Sequence, residues 1–225
     1  MRFDIITIFP QVFDSYFQES IIKRGREKGL LEICIHNLRD YTSDKHLTVD
    51  DRPYGGGPGM VLMVEPIYQA VKSIKSSLGK KEKFKTILLS FRGRYFNQKI
   101  ANQFSHLDRI ILICGHYEGV DERVAKYIAD DEISVGDYIL TGGELPAMII
   151  VDSVSRLIPG VLGNINSIEE KRFSEEKNII SYPVYTKPEI FSPKKGVQWR
   201  VPKELLSGNH QKIEEWRKKH SRTIE

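Results

Sequence analysis

The strongest constraint on the fold is an alternation of short apolar runs with longer helical patterns through residues 1–157. The predicted strands are Phe3–Phe9, Leu31–His36, Thr86–Ser90, Arg109–Cys114 and Ile133–Leu140, and the predicted helices cover 12–28, 66–77, 97–105, 120–129 and 144–157. Strands that alternate with helices of this length are typical of a parallel sheet covered on both faces. We therefore predict an α/β fold.

The chain changes character after Pro159. A stretch rich in glycine and asparagine is followed by the charged run Glu169–Lys177, and four prolines then lie between residues 183 and 202. A last helix is predicted over Asn209–His220, with Ile213 and Trp216 on one face. The predicted organisation is a large domain over 1–160, a flexible linker over 161–177 and a small basic helical domain over 178–225.

The composition is that of a soluble globular protein. Of the 225 residues, 40% are hydrophobic and 28% are charged, and no apolar window approaches the length of a membrane span. The first apolar run contains Asp4, which favours a strand over a secretory signal. Cys34 and Cys114 lie in apolar strand-like runs, so we interpret them as buried thiols of a cytoplasmic protein.

The positive charge of the chain is concentrated near its C-terminus. Residues 1–168 contain 21 Lys and Arg against 21 Asp and Glu, whereas residues 169–225 contain 13 against 9. This asymmetry favours an anionic partner for the C-terminal part. Charge alone leaves a solvated basic face equally open.

The segment Ser134–Pro146 is the most informative single motif. An apolar run ends in Gly142-Gly143 and is followed by residues suited to the first turn of a helix. Glycine lets backbone amides approach a ligand closely, and open α/β sheets bind ligands where a strand end meets such a turn. We predict a ligand-binding turn here, with Asp137 and Tyr138 carried into the interior by the strand.

Two further strand ends carry glycine turns. Gly115–Arg123 follows the strand Arg109–Cys114, and Ser90–Gly93 follows the run that begins at Thr86. Because the carboxyl ends of parallel strands meet at one edge of a sheet, we expect the three turns to converge. Glu118 fits either a contact with the edge of a polar base or a helix-start carboxylate, and in isolation the second interpretation is favoured.

The segment Asp50–Met60 contains four glycines and two prolines, so it is a loop of unusual backbone geometry. It lacks the Gly-Lys-Ser/Thr ending of a P-loop, and no Gly-x-Gly-x-x-Gly follows the first strand. Nucleoside triphosphate hydrolysis and an ordinary dinucleotide site are therefore disfavoured. Taken alone, the loop fits a structural cover slightly better than a substrate contact.

Arg156 lies near the end of the helix predicted over 144–157. The helix dipole favours a cation there, and the alternative is an arginine aimed at negative charge that develops on a substrate. His116 does not indicate a metal, because no second histidine or cysteine lies at ligand spacing. We predict no metal-ligating side chains.

Together these segments resemble the bacterial tRNA (guanine-N1)-methyltransferases. The motifs that carry the resemblance are the Ile-Phe-Pro near the N-terminus, Arg39-Asp40, Asp50–Met60, Cys114–Arg123, Val135–Leu140 with Gly142–Ala147, Asp152–Gly163, Tyr185-Thr186 with Pro188-Glu189, and Leu205–His210. This family methylates the guanine at position 37 of tRNA, next to the anticodon. The resemblance implies the deep trefoil-knotted sheet of the SPOUT superfamily, with helices on both faces, and a homodimer with active sites at the subunit interface.

The resemblance further implies that three loops bind S-adenosylmethionine in a bent conformation inside the knot. These loops are Leu89–Gly93, Gly115–Gly119 and Val135–Gly143. The implied cofactor contacts are Leu89, Ser90, Gly93, Gly115, Tyr117, Glu118, Gly119, Val135, Gly136, Asp137, Tyr138, Ile139, Leu140, Gly142, Gly143 and Pro146.

The groups that meet the tRNA are also implied by the resemblance. Glu118 would bind the guanine edge, Arg156 would stabilise negative charge on its O6, and Mg²⁺ would fit neutralisation of that charge. The basic C-terminal part would follow the RNA backbone, whose phosphates dominate affinity. The implied substrate contacts are Asp50, Asp51, Arg52, Gly57, Ser167 and His210.

Methylation at N1 of guanine requires a positioned base to remove the N1 proton. In the resembled family this base is an aspartate of the interdomain linker, but Lys171 stands at that position here. A lysine is protonated at neutral pH unless it is strongly desolvated. We favour Glu170 or Glu169 as the base. A second departure is Phe91, where the family commonly has proline.

The predicted function is therefore transfer of a methyl group from S-adenosylmethionine to N1 of guanine 37 in tRNA. Two alternatives to a glutamate base remain open: the proton leaves by another route, or the protein binds tRNA through an intact cofactor pocket and turns over weakly. A knotted methyltransferase that acts on a different RNA base is disfavoured by Glu118.

Overall fold

The computed structural model describes residues 1–162, 179–180 and 182–223. Contacts divide the chain into two compact units, Met1–Ile165 and Asn166–Glu225. The first unit carries a parallel sheet with helices, and the second carries a β-hairpin, a short pair of strands and two helices.

The elements of the first unit follow one another in the alternating order that the sequence predicts. Its strands are β1 (Arg2–Thr7), β2 (Glu32–Asn37), β3 (Asp50–Asp51), β4 (Val61–Leu62), β5 (Phe84–Tyr95), β6 (Arg109–Cys114) and β7 (Asp131–Ser134). Its α-helices are α1 (Ser20–Glu27), α2 (Val64–Ser76), α3 (Gln98–Ser105), α4 (Glu122–Tyr127) and α5 (Glu144–Ser155). Short 3-10 turns cover Pro10–Phe13, Tyr16–Gln18 and Leu38–Tyr41.

Five of these strands form one parallel sheet in the order β2-β1-β6-β5-β7. The predicted α/β fold is therefore confirmed. All six residues of β6, the central strand, are buried. Successive side chains of a strand point to opposite faces, so Phe3 and Ile5 of β1 pack in one core with α3 and α5, whereas Ile6 packs in a second core with α2 and α4.

Two predicted helices are shorter than their sequence patterns. The pattern over 12–28 forms two 3-10 turns followed by α1, and the first of these turns begins at Pro10. A continuous helix is interrupted at Ser20, whose φ of 51° is left-handed. The pattern over 120–129 yields only α4. Asp121 caps this helix by accepting a hydrogen bond from the Arg123 amide at 2.9 Å.

β7 ends at Ser134, so the predicted buried strand over Ile133–Leu140 is wrong beyond that residue. The chain bends because the Ser134 hydroxyl donates to the Gly136 carbonyl at 3.0 Å. Asp137 and Tyr138 are exposed instead of entering the interior, and Ile139 is 82% exposed. The apolar residues of this run line a cleft rather than a core.

The two cysteines are free thiols. Cys114 is buried at the end of β6, as predicted, but Cys34 is only half-buried because β2 is the edge strand of the sheet. Burial raises the pKa of both thiols.

The second unit contains β8 (Ile179–Ile180), β9 (Ile190–Lys194), β10 (Val197–Arg200), α6 (Lys203–Leu206), α7 (His210–His220) and β11 (Arg222–Thr223). β9 and β10 form an antiparallel hairpin that the proline-rich sequence did not predict, and β8 pairs with β11. α7 matches the predicted last helix, and the Asn209 side chain caps it. Trp216 is buried in this helix, and its ring stacks on that of His220 with the ring centroids 4.1 Å apart. Among the described residues, no helix has both the length and the apolar character needed to cross a membrane.

A buried carboxylate on β1 links three neighbouring strands of the sheet, β2, β1 and β6. The Asp4 side chain on β1 is fully buried and lies 3.0 Å from the Arg2 guanidinium, 2.8 Å from His36 Nε2 on β2 and 3.8 Å from the Arg109 guanidinium on β6. Burial alone would raise the pKa of Asp4, but hydrogen bonds with His36 and Arg2 hold it below its ordinary value of 3.8.

Replacement of this carboxylate is expected to be strongly destabilising. Asp4→Asn removes the charge that the surrounding cations share, and breaking a buried ion pair in this way costs about 3–5 kcal/mol. Because the folded pKa lies below the unfolded one, the contribution is present above about pH 4 and is lost as pH falls further. Urea unfolding at pH 7 and pH 3 measures both effects.

The matched control is Asp14→Asn, which changes an exposed aspartate of the same unit and is expected to shift stability by no more than about 0.5 kcal/mol. Equal unfolding midpoints for the two variants at pH 7 would contradict the assignment of Asp4 as a structural charge.

Candidate functional site

Strands β5, β6 and β7 lead into a single cleft of about 520 Å³ at the edge of the sheet. Its walls come from the three glycine-containing segments that follow these strands. The volume lies in the usual range for small-molecule and cofactor sites. The expected convergence of three strand-to-turn junctions is therefore what the structure contains.

The first wall is a local distortion of β5. Leu89 and Arg94 both pair with Ile133 of β7, so the residues between them leave the ladder. Ser90, Phe91 and Arg92 line the cleft as a result. Gly93 does not line it, since a Cβ at that position would lie 2.4 Å from the backbone nitrogen of Ile133. Position 93 must be glycine because the backbone there packs directly on the backbone of β7.

The second wall is the turn after β6. Tyr117 has a left-handed φ of 60° and Gly119 has a φ of 139°. A left-handed conformation is uncommon for tyrosine and marks local backbone strain, which recurs at ligand sites. The turn is fixed from outside, because the Glu118 amide donates to the Met60 carbonyl and the Leu62 amide donates to the Gly119 carbonyl, both at 3.0 Å.

The third wall ends in the Gly142-Gly143 pair. His116 and Gly142 form an antiparallel bridge, and the Gly143 amide donates to the Gly115 carbonyl at 2.8 Å. A Cβ on Gly143 would lie 2.6 Å from the Cα of Cys114. The glycine pair therefore lets the start of α5 rest directly on the backbone at the end of β6.

Most of the predicted cofactor contacts line this one cleft. The predicted residues that do not line it are Gly93, Gly136 and Asp137. A Cβ on Gly136 would lie 2.3 Å from the Tyr138 ring, so this glycine serves the bend after β7. The remaining predicted contacts on the cleft wall are Leu89, Ser90, Gly115, Tyr117, Glu118, Gly119, Val135, Tyr138, Ile139, Leu140, Gly142, Gly143 and Pro146.

Four further lining residues lie within the predicted loops although they were not named as single contacts: Phe91, Arg92, His116 and Thr141. The sequence missed Glu122 and Glu132, which line the cleft from outside those loops. No motif in the sequence marks these two carboxylates. Arg92 and Glu122 form an ion pair that joins the first wall to α4, and the hydrogen bond from Arg92 lowers the pKa of Glu122.

The glycine-rich loop Asp50–Met60 lies against Glu118. β3 and β4 pair at the ends of the loop, and a Cβ on Gly59 would lie 2.4 Å from Cγ of Glu118. The loop therefore packs directly against the exposed Glu118 side chain. Its predicted substrate contacts do not line the cleft itself; they are Asp50, Asp51, Arg52 and Gly57.

Behind the cleft, Glu144 is a buried carboxylate at the start of α5. Its Oε1 accepts a hydrogen bond from the Thr7 hydroxyl at 2.8 Å, and its Oε2 lies 4.0 Å from Nδ1 of His116. A Cβ on Gly142 would lie 2.3 Å from that Oε2. The turn at Gly142 thus passes between the Glu144 carboxylate and the His116 ring. Burial raises the pKa of Cys114, and the nearby negative charge of Glu144 raises it further.

Arg156 is not brought to the cleft of its own chain. It caps the C-terminal end of α5, whereas Pro146 near the other end lines the cleft. Ten residues of helix separate these two positions by about 15 Å. At the same end of α5, burial and a hydrogen bond with Asp152 raise the pKa of Tyr16.

The remaining predicted site residues lie elsewhere. Ser167, Glu169, Glu170 and Lys171 fall outside the described residues. His210 is the exposed first residue of α7 in the second unit. Within 1–162, 179–180 and 182–223, no group of three or more histidine, cysteine or carboxylate side chains is arranged to hold a metal ion, so the Mg²⁺ prediction gains no support.

A family profile described as tRNA (Guanine-1)-methyltransferase TrmD matches residues 1–224 of this sequence. The chain belongs to this family. A curated relative from Dictyoglomus turgidum, named tRNA (guanine-N(1)-)-methyltransferase, is 55% identical over 98% of this chain and 85% of its own length. A relative of the same name from Clostridioides difficile is 51% identical over 98% of this chain and 92% of its own length.

A solved structure of the family has the same fold. The crystal structure of a tRNA (m1G37) methyltransferase from Aquifex aeolicus matches with a TM-score of 0.77 at 42% identity, over 96% of this chain and 87% of that one. The family membership suggested by the ordered motifs is therefore confirmed.

Gly143→Ala is expected to destabilise the first unit by about 1–3 kcal/mol, the usual cost of inserting atoms into a packed site. The new methyl group would meet the backbone of Cys114, which cannot move without distorting β6. Urea unfolding measures the loss. The control is Gly79→Ala, whose Cβ would lie 3.7 Å from the nearest atom of Glu82, an ordinary contact. Equal midpoints for both variants would refute the close approach.

Proposed function

We propose that this protein transfers a methyl group from S-adenosylmethionine to N1 of guanine 37 in tRNA. The observation that carries the proposal is the family match over residues 1–224. Relatives at about half identity are named tRNA (guanine-N(1)-)-methyltransferase, and the related Aquifex aeolicus structure is that of a tRNA (m1G37) methyltransferase. The alternative, a tRNA-binding protein with weak turnover, is not favoured by those relatives.

The cleft fits S-adenosylmethionine in size and in chemistry. Its 520 Å³ are lined by glycine backbone, apolar side chains and charged side chains that include Arg92, Glu118 and Glu132. This combination suits a ligand that has a flat base, a ribose and a charged amino-acid end. We assign the base and ribose to the backbone of Gly115–Gly119 and Val135–Gly143. When bound, the cofactor supplies the methyl group for transfer.

We further propose that the three walls belong to a deep trefoil knot. True knots are almost absent from proteins, so general topology rules would not suggest one. The proposal is supported by the close backbone approaches of Gly93 to β7 and of Gly143 to β6, since such contacts are needed where one segment of chain passes tightly under another.

Glu118 is the proposed contact for the guanine edge. Its carboxylate is exposed beside the cleft, and the Asp50–Met60 loop limits its freedom through Gly59. A carboxylate accepts hydrogen bonds from the N–H groups that distinguish guanine from adenine along this edge. The loop residues Asp50, Asp51, Arg52 and Gly57 are proposed to hold the neighbouring RNA.

Arg156 is proposed to reach the guanine O6 from a second copy of the chain. Within one chain it lies at the far end of α5 from the cleft, so a site that uses both Arg156 and Glu118 requires a partner. The spacing of Leu145, Ile149 and Asp152 places them on one helical stripe that leads to Arg156. Leu145 and Ile149 are exposed, as are Phe9, Val12 and Tyr16. We therefore propose a homodimer across this apolar face.

The general base is proposed to be Glu170 or Glu169, which precede Lys171 in the linker. We place the linker at 161–177, between a methyltransferase domain over 1–160 and a tRNA-binding domain over 178–225. Ser167 and His210 are proposed tRNA contacts in these two parts. A cytoplasmic location completes the proposal.

The direct test incubates the protein with S-adenosylmethionine that carries a labelled methyl group and with an unmodified tRNA transcript that has guanine at position 37. Nuclease digestion and chromatography of the nucleosides should yield labelled 1-methylguanosine from position 37. The same transcript with adenosine at that position is the control. Absence of label, or label elsewhere, would overturn the proposal.

The shared site predicts complementation between two defective chains. Glu118→Gln and Arg156→Gln are each expected to be inactive as homodimers. A heterodimer isolated with two affinity tags should recover about half of the wild-type rate, because one of its two sites keeps both residues. If both residues act within one chain, the heterodimer stays inactive. A doubly tagged Glu118→Gln homodimer is the control for the tags.

The shifted-base hypothesis predicts that Glu170→Gln or Glu169→Gln slows methyl transfer in single turnover by about 10²–10⁴-fold, the usual contribution of a positioned base. The wild-type rate should rise with pH until that carboxyl is ionised, and the slow variant should lose this dependence. Glu176→Gln in the same charged run is the matched control. If neither glutamate variant is slowed, the N1 proton takes another route.

A further inference from the structure

The β9-β10 hairpin of the second unit presents two large aromatic side chains on one face. Phe191 and Trp199 are directly opposite each other in the antiparallel register, and their ring centroids lie 5.6 Å apart. Trp199 is 62% exposed and Phe191 is 49% exposed. Each ring therefore packs on the other and leaves a broad apolar surface in solvent.

The rest of the hairpin offers these rings no cover. Every residue from Phe191 to Arg200 is exposed except Val197, which is partly buried. A two-stranded hairpin with both faces in water is only marginally stable. Large aromatic side chains that are exposed next to each other are uncommon on protein surfaces and usually mark an interaction site. The exposed pair on this hairpin therefore indicates a ligand-binding surface.

The charged residues of the hairpin and of the segment that leads to the next helix, 190–203, are all basic. Lys194 and Lys195 lie at the tip of the hairpin, Arg200 ends β10 and Lys203 begins α6. Between Glu189 and Glu204 the sequence contains no aspartate or glutamate. A basic segment with interleaved aromatic residues fits a polyanion that carries flat rings, which is the chemistry of single-stranded nucleic acid.

We propose that this hairpin is an RNA-binding subsite in which an unpaired base stacks on Trp199, with Phe191 supporting the indole. Lys194 and Lys195 contact the phosphates on either side of that base. The inference rests on the proposed function, since the RNA in question is the tRNA substrate. It assigns to β9 and β10 a role separate from the methyl-transfer cleft.

Tryptophan fluorescence tests the stack directly, because the chain contains two tryptophans and the other, Trp216, is buried against His220. A tRNA transcript should quench the emission of the wild-type protein. In Trp199→Phe the quench should disappear while the affinity for tRNA stays within about threefold, because phenylalanine also stacks on bases. A quench that survives in Trp199→Phe would overturn the assignment.

Affinity measurements separate stacking from charge. Trp199→Ala should weaken tRNA binding by roughly 5- to 150-fold, the range for loss of one base–aromatic stack. Lys194→Ala/Lys195→Ala should weaken binding and reduce the slope of log affinity against log salt by about 1 to 2. The matched control is Lys80→Ala/Lys81→Ala, an exposed lysine pair in the turn before β5, which should change neither quantity.

A comparison of single-stranded with double-stranded RNA separates base stacking from phosphate contact. A single-stranded oligouridine should quench Trp199, whereas a blunt RNA duplex should bind more weakly and leave its emission unchanged, because duplex bases are already stacked. Equal quenching by both would reduce the hairpin to a phosphate contact and overturn the base-stacking proposal. If Trp199 emission instead depends on protein concentration without RNA, the surface serves self-association and the proposal is wrong.

These outcomes are distinguishable from failure of the proposed methyl transfer. Binding and quenching need no turnover, so they remain measurable in a protein that methylates nothing. If the chain is active, Trp199→Ala should raise KM for tRNA and leave kcat and the affinity for S-adenosylmethionine unchanged. A fall in kcat with unchanged KM would contradict a binding role.

Discussion

The close contact between the start of α5 and the end of β6 determines the shape of the site. Gly143 lies on the backbone of Cys114 with no room for a methyl group, and its amide is hydrogen-bonded to the Gly115 carbonyl. This contact joins the third wall of the cleft to the second. It also sets where α5 begins, and therefore where Arg156 lies at the other end of that helix.

The sequence predicts the sheet well because its central strands are continuous apolar runs. β6 matches its predicted bounds, and burial on both faces leaves no competing interpretation of such a run. The convergence of the three turns follows from the parallel arrangement. Most of the proposed cofactor contacts follow from the family resemblance and not from periodicity, since contacts through the backbone leave little pattern in side-chain type.

Local geometry is where prediction from sequence failed. Val135, Ile139 and Leu140 are apolar because they line a cleft, but the same residues in a row also resemble a buried strand. The distortion of β5 between Leu89 and Arg94 depends on pairing with β7, about forty residues further along the chain, which local patterns do not record. The hairpin of β9 and β10 was hidden by prolines, which are tolerated in edge strands.

The strand order carries a consequence for synthesis on the ribosome. β1 ends at Thr7, yet one of its two neighbours in the sheet is β6, which ends more than a hundred residues later at Cys114. At ordinary elongation rates that interval is roughly 5 to 20 s. During it, the edge of β1 that pairs with β6 in the finished sheet has no partner strand, so the nascent chain presents an unpaired strand edge. We expect this interval to be the period when the newborn protein depends most on chaperones.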